Sequence, residues 1–171
     1  MVGARLAGGG DGRKARHASP ATEAVNALDR HIALVGFMGA GKTTVGMEVA
    51  RLTDRTFVDL DAELERRHGM DIPLMFAERG EPWFRNEEAE LARIVLERRE
   101  PVVLALGGGA VGRPETREAL ATRAFTVLLD VDVDEAWRRV ERSRRPLARD
   151  EEEFRRLYDE RRPLYSEAAD A

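Results

Sequence analysis

Residues Gly36-Phe-Met-Gly-Ala-Gly-Lys-Thr-Thr44 decide how this chain folds. They fit G-x-x-x-x-G-K-[ST] without a gap, with Gly36, Gly41, Lys42 and Thr43 in the fixed positions of a phosphate-binding loop. Upstream, His31-Ile-Ala-Leu-Val35 is a short apolar run of the kind a buried parallel strand needs. Downstream, Val45, Val49 and Leu52 recur at roughly helical spacing and predict the apolar face of a helix over 41–52. Strand, glycine loop and helix are the arrangement that phosphate binding requires. The loop turns backbone N–H groups toward phosphate oxygens, and the helix N-terminus adds a partial positive charge.

Composition sharpens this reading. Of the 28 basic residues only Lys14 and Lys42 are lysines, so arginine is the default cation of the chain. Lysine is kept where a compact ammonium must enter a tight phosphate cradle, a place that guanidinium does not fit. At 171 residues, 43% hydrophobic and 35% charged, the chain reads as one globular domain with a real core. A net charge of −4 gives no basis for general nucleic-acid binding. No apolar stretch approaches the roughly 20 residues of a membrane span. The chain has no cysteine, which excludes disulfides and thiolate metal sites and suits a reducing cytoplasm. Residues 1–20 lack apolar periodicity, and 1–30 reads as a disordered leader with room for one or two helical turns over 21–30, leaving 31–171 as the domain.

Short apolar runs alternate with helical patterns along the domain. Strands are predicted at Ile32–Val35, Thr56–Val58, Val102–Leu106 and Ala124–Asp130. Helices are predicted at Ala62–His68, from an Asp71 cap to Gly80, at Pro82–Arg99, Thr116–Thr122 and Asp134–Arg142, and from an Asp150 cap to Arg161, where Pro163 breaks the pattern. This is the pattern of an α/β three-layer sandwich, a parallel sheet of about four to five strands with helices on both faces. Ligands of such sheets bind beyond the carboxyl ends of the strands. That rule gathers the phosphate loop, Asp59 with Asp61, and Gly107-Gly-Gly109 on one rim.

Each of these groups has a chemical use. Two aspartates two residues apart on an extended segment face the same side, one toward Mg²⁺ and the other toward a hydroxylated substrate. The glycines let a ligand approach the backbone closely. Arg85, with Phe76, Trp83 and Phe84 near it in sequence, makes an aromatic wall with one guanidinium, suited to a small ring bearing a carboxylate. Arg142, Arg144, Arg145 and Arg149 around Pro146 suit a lid that closes a cation over a transferring phosphate.

Together these pieces resemble shikimate kinase, a P-loop small-molecule kinase of the nucleoside-monophosphate-kinase-like build. The resemblance runs from about Ile32 to Asp170. Beyond the phosphate loop it rests on Asp59-Leu-Asp61, Phe76-Ala-Glu-Arg-Gly-Glu81, Phe84-Arg85, Leu106-Gly-Gly-Gly-Ala-Val111, Arg145-Pro-Leu147 and Arg161-Arg-Pro-Leu-Tyr165. It implies ATP- and Mg²⁺-dependent phosphorylation of the 3-hydroxyl of shikimate, in aromatic amino-acid biosynthesis, by a cytoplasmic monomer. Gly39, Ala40, Gly41, Lys42, Thr43 and Thr44 would bind the ATP phosphates, with Thr43 and Asp59 at the metal. Asp61 would bind substrate hydroxyls and take or orient the attacking proton. Arg85 and Arg161 would hold the carboxylate, Gly108 and Gly109 would contribute backbone, and Phe76, Phe84 and Glu88 would shape the pocket. Arg145 would be the lid arginine on ATP. Family members continue past Pro-Leu-Tyr into a further strand and helix, so the resemblance also implies a shortened C-terminus, either in a piece of a longer fused pathway enzyme or in a shortened homologue. Two other readings remain: a related kinase of gluconate or a nucleoside, and a binding module without catalysis. The lack of an Asn-Lys-x-Asp motif argues against a GTPase.

Overall fold

A computed structural model describes residues 29–141, 147–148 and 150–171. The leader expected over 1–30 lies outside these residues except for Asp29 and Arg30. So do Arg142, Arg144, Arg145, Pro146 and Arg149 of the expected lid.

Four strands form one sheet: β1 (His31–Val35), β2 (Phe57–Asp59), β3 (Val103–Ala105) and β4 (Ala124–Leu128), in the order β2-β3-β1-β4. All three pairings are parallel, with Ile32 opposite Val103, His31 opposite Ala124, and Phe57 opposite Val103. The helices are α1 (Lys42–Thr53), α2 (Leu60–His68), α3 (Ile72–Arg79), α4 (Glu81–Leu96), α5 (Pro114–Arg123), α6 (Val133–Val140) and α7 (Glu151–Ala168). The α/β sandwich expected from the sequence is therefore present. Asp170 and Ala171 run along the outer edge of β4: Asp170 N–H donates to the Thr126 carbonyl at 2.7 Å, and Leu128 N–H to that of Ala171 at 2.8 Å.

The period of two along β1 divides the core. Leu34 joins Ala50 of α1 and Val103 of β3 on one face, with Ile32, Phe57 and Val127 packed around them. Ala33 and Val35 point the other way, into the larger core that Leu91 and Val95 of α4, Leu120 of α5 and Phe154 of α7 share with Leu104. His31 is buried where β1 begins. Its Nε2 lies 3.1 Å from the Leu96 carbonyl, and its Nδ1 accepts the Val102 N–H at 3.1 Å. These partners fix the neutral tautomer with hydrogen on Nε2, and one imidazole ties the end of α4 to the approach to β3.

Three local expectations are corrected. In α1 the buried residues are Gly46 and Ala50, while Val45 and Leu52 are exposed. The helix presses so close to the sheet that a Cβ on Gly46 would run into the Phe57 ring. Close approach selects small residues for the inner face, not long apolar ones. Second, Asp59 and Asp61 do not share an extended segment. Asp59 closes β2 and caps α2 by accepting the Ala62 N–H at 3.2 Å, which places Asp61 in the first helical turn. Third, α7 runs through Pro163 without a break. The carbonyl that proline leaves without a donor, on Asp159, is on an exposed residue where water can bond it. On the opposite face, buried Phe154, Tyr158 and Tyr165 hold both halves of the helix to the core.

Candidate active site

The phosphate loop leaves β1 at Gly36 and enters α1 at Lys42. Gly39 takes φ +84°, and a side chain there would meet the Ala136 carbonyl at 2.9 Å, so the turn needs glycine. Lys42 Nζ donates to the carbonyls of Gly36 at 2.7 Å and Phe37 at 3.0 Å, which holds the ammonium over the mouth of the loop. Thr43 Oγ1 donates to Asp59 Oδ2 at 2.6 Å. A cleft lined by Gly39, Gly41, Lys42, Thr43, Thr44 and Arg139 opens here. Ala40 belongs to the same turn, its N–H bonded to the Phe37 carbonyl at 3.2 Å, but it does not line the cleft.

Arg139 is absent from the sequence reading. It lies on α6, far from the loop in sequence, donating to the Gly39 carbonyl at 2.8 Å and to Glu135 at 2.8 Å. In a chain whose default cation is arginine, nothing local distinguishes it. The signal that finds it is spatial, the approach of α6 to Gly39.

A second cavity, of about 450 Å³, adjoins the first and shares Met38, Asp59 and Asp61 with it. Phe76, Phe84, Arg85, Glu88, Gly108, Gly109 and Arg161 line it, so the structure brings these sequence-predicted residues together. Ile72, Pro73 and Glu65, which sequence reasoning missed, close another side. Glu65 is fixed by accepting the Ile72 N–H at 3.1 Å. Phe76 and Phe84 pack with ring centroids 4.8 Å apart, and the Arg85 guanidinium lies 5.2 Å from the Phe84 centroid. Trp83 does not join this wall. It turns toward His68 at 5.0 Å and Arg79 at 5.8 Å, braces α2 against α4, and does not line the cavity.

The two arginines of this cavity differ in their electrostatics. Arg85 bonds Glu88 at 2.7 Å and Glu81 at 3.0 Å. Burial works against its charge, but the two carboxylates outweigh burial and hold the guanidinium above its ordinary value. Glu88 is almost wholly buried. Burial pushes its carboxyl up against the pull of Arg85, and the neighbouring Asp61 pushes the same way. Its Oε1 has no hydrogen-bond partner among the described residues. Arg161 has no carboxylate in ion-pair contact among the described residues. Burial pulls its guanidinium down from the ordinary value, with Tyr165 opposing. A largely buried cation without a counter-ion favours an anionic ligand.

The glycine run after β3 fits between these side chains. A Cβ on Gly107 would overlap Glu88 Oε1 and stand 2.7 Å from Asp61 Oδ1, and one on Gly109 would overlap the Arg85 guanidinium. These glycines give room for the charged groups themselves. Among the described residues no cluster of three or more histidines or carboxylates offers a metal cage, and no helix is long and apolar enough to cross a membrane.

Comparison with known proteins shows the family of the chain. Residues 38–171 match the family model described as shikimate kinase. The chain is 45% identical over 152 residues to a shikimate kinase of Burkholderia lata, covering 85% of this chain and 82% of the relative. It is 46% identical over 156 residues to one of Nitrobacter winogradskyi, covering 88% and 72%. Among solved structures, shikimate kinase from Acinetobacter baumannii in complex with shikimate superposes with a TM-score of 0.81 at 40% identity, covering 86% of this chain and 84% of that one. A gluconokinase from Sinorhizobium meliloti, at 17% identity and a TM-score of 0.50 over 77% of this chain and 74% of its own, shares the fold alone. With its phosphate loop, its paired arginines and this degree of likeness, the chain belongs to the shikimate kinase family.

Proposed function

We propose that this protein transfers the γ-phosphoryl group of ATP to the 3-hydroxyl of shikimate. One observation carries the reading. A cavity holding Asp61, Arg85 and Arg161 shares a wall with the phosphate-loop cleft, so a small hydroxy acid in one stands beside a triphosphate in the other. Gly39 to Thr44 receive the phosphates, and Lys42 exchanges two loop carbonyls for phosphate oxygens. Arg85 and Arg161 hold the carboxylate from two sides, a geometry suited to planar anions. Asp61 accepts the proton of the attacking hydroxyl as its oxygen bonds the γ-phosphorus and the bond to the β–γ bridging oxygen breaks.

The Thr43–Asp59 pair suits Mg²⁺. A hydroxyl with a carboxylate behind it, and no all-protein cage, is how this ion is held when phosphates and water supply most ligands. Bound there, Mg²⁺ neutralises charge on the transferring phosphate. Positioning and charge neutralisation are most of what phosphoryl transfer asks of a protein. Arg145 is the lid cation in this reading, and 31–171 acts as the kinase domain.

A coupled assay of ADP release with shikimate, gluconate and nucleosides tests the proposal. ADP release with shikimate and not with the others is expected. Turnover only with another acceptor refutes it, and tight shikimate binding without any transfer makes the protein a binding module.

A further inference from the structure

Helix α7 carries both tyrosines of the chain, Tyr158 and Tyr165, two turns apart on one buried face. Each hydroxyl donates to a backbone carbonyl on the rim of the sheet. Tyr158 bonds Val131, beyond β4, at 2.8 Å, and Tyr165 bonds Gly108, beyond β3, at 2.5 Å. Arg161 lies between them in sequence, three residues after Tyr158 and four before Tyr165. A side chain added to Gly108 would meet the Tyr165 hydroxyl at 3.7 Å and Arg161 Nη1 at 3.8 Å, so phenol and guanidinium converge on the same peptide. Both are largely buried. Burial pushes the phenol up to about 12, so it keeps its proton and remains a donor at all physiological pH values.

We infer that Tyr165 is a positioning residue for shikimate, acting through both Gly108 and Arg161. The carbonyl of Gly108 and the N–H of Gly109 belong to one peptide unit and point in opposite directions. Fixing the carbonyl on Tyr165 therefore fixes the direction in which the Gly109 N–H is offered. The same hydroxyl faces Arg161, which has no carboxylate in ion-pair contact among the described residues. Arg85 is braced by Glu81 and Glu88; for Arg161 the brace is a neutral phenol. A carboxylate brace would neutralise the charge that the substrate is to meet. Tyr158, by contrast, anchors α7 against the Phe37 ring, with centroids 5.3 Å apart, and against the loop after β4.

The inference rests on the shikimate reading, and the two can fail separately because wild-type ADP release with shikimate tests that reading alone. Tyr165→Phe keeps the ring and removes the hydroxyl. It is expected to raise the KM for shikimate about five- to tenfold, the worth of one hydrogen bond, with the KM for ATP changed less than twofold. Tyr158→Phe deletes an equivalent bond on the same helix and is expected to lower Tm similarly while leaving the shikimate KM alone. An unchanged shikimate KM in Tyr165→Phe, equal rises in both KM values, or the same rise in Tyr158→Phe would overturn the inference. A second measurement does not depend on Tyr165→Phe folding. Uniform 3-fluorotyrosine labelling gives two ¹⁹F resonances, assigned with Tyr158→Phe, and shikimate is expected to shift that of Tyr165 and not that of Tyr158. The reverse pattern, or no shift in either, also overturns it.

Discussion

The nucleotide cleft and the carboxylate pocket meet at Met38, Asp59 and Asp61, yet they are built in opposite ways. Half of the residues lining the cleft belong to the one loop between Met38 and Thr44. Gly39 to Thr44 supply a turn, an ammonium and a hydroxyl from adjacent positions, and Lys42 rests on the loop's own carbonyls. The pocket is composite. Its carboxylate, its two guanidiniums and its backbone come from α2, α4, α7 and the turn after β3, and no two of them are neighbours in sequence. A site made from one segment depends little on the rest of the fold. A composite site depends on side chains that hold one another, as Glu88 holds Arg85 and Tyr165 attends Arg161. The two halves are therefore expected to break differently.

The largest effect is expected at the contiguous half. Lys42→Ala removes the ammonium that neutralises the phosphates and lowers kcat by about 10³. The Tm should barely change, because Lys42 is only partly buried. Substantial turnover in a coupled ADP assay would detach Lys42 from the chemistry.

Next come the two arginines of the composite half. Arg85→Ala and Arg161→Ala should each raise the shikimate KM about 100-fold and spare the ATP KM. They should differ in stability. Arg85→Ala strands the buried Glu88 carboxylate and costs about 3 kcal/mol, whereas Arg161→Ala frees no partner charge and costs less than about 1 kcal/mol. Thermal melts of the pair give the answer, and equal losses would contradict the difference in their bracing.

A smaller effect is expected at Gly109→Ala. The added methyl pushes the Arg85 guanidinium aside and should raise the shikimate KM about tenfold, because misplacement by about an ångström weakens a fitted site. Calorimetry with ATP analogues should show that half untouched.

The smallest effect lies outside both halves, at His31. Burial lowers its imidazole from the ordinary value of 6.5, with Arg55 and Arg98 adding to the effect and the Leu96 backbone contact opposing it. The unfolded chain therefore takes up the proton more readily. Stability contributed by the neutral ring is complete above 6.5 and is lost as pH falls through 6.5 toward the lower folded value. Protonation also ends the Nδ1 acceptance of Val102 N–H. Between pH 7.5 and 5.5 wild-type Tm should fall roughly 2–5 °C more than that of His31→Gln, and parallel profiles would remove His31 as the cause.

The same contrast explains what the sequence disclosed. The phosphate loop was legible because its chemistry lies in consecutive residues with a fixed pattern. The apolar run of β1 and the caps at Asp71 and Asp150 were legible for the same local reason. Arg85 was marked by the aromatic residues beside it, whereas Arg161 could be named only through family resemblance, since it is one of many arginines. Arg139 escaped altogether because only tertiary contact marks it. The face of α1 was misread because periodicity counts apolar side chains, while the fold there selects closeness at Gly46. Pro163 was taken as a stop because a local rule cannot see the Tyr158 and Tyr165 anchors on either side of it.

The strand order has a consequence for biosynthesis. Among the described strands β1 is made first and lies in the interior of the sheet, but its partners begin far downstream, at Val103 and Ala124. At ~5–20 residues per second, the ribosome needs roughly 4–14 s to add the about 70 residues between Ile32 and Val103. During that time the apolar run from Ile32 to Val35 has no ladder to join. The nascent chain thus carries its phosphate-binding segment beside an unpaired, aggregation-prone strand, and chaperone contact during translation is expected to concentrate there.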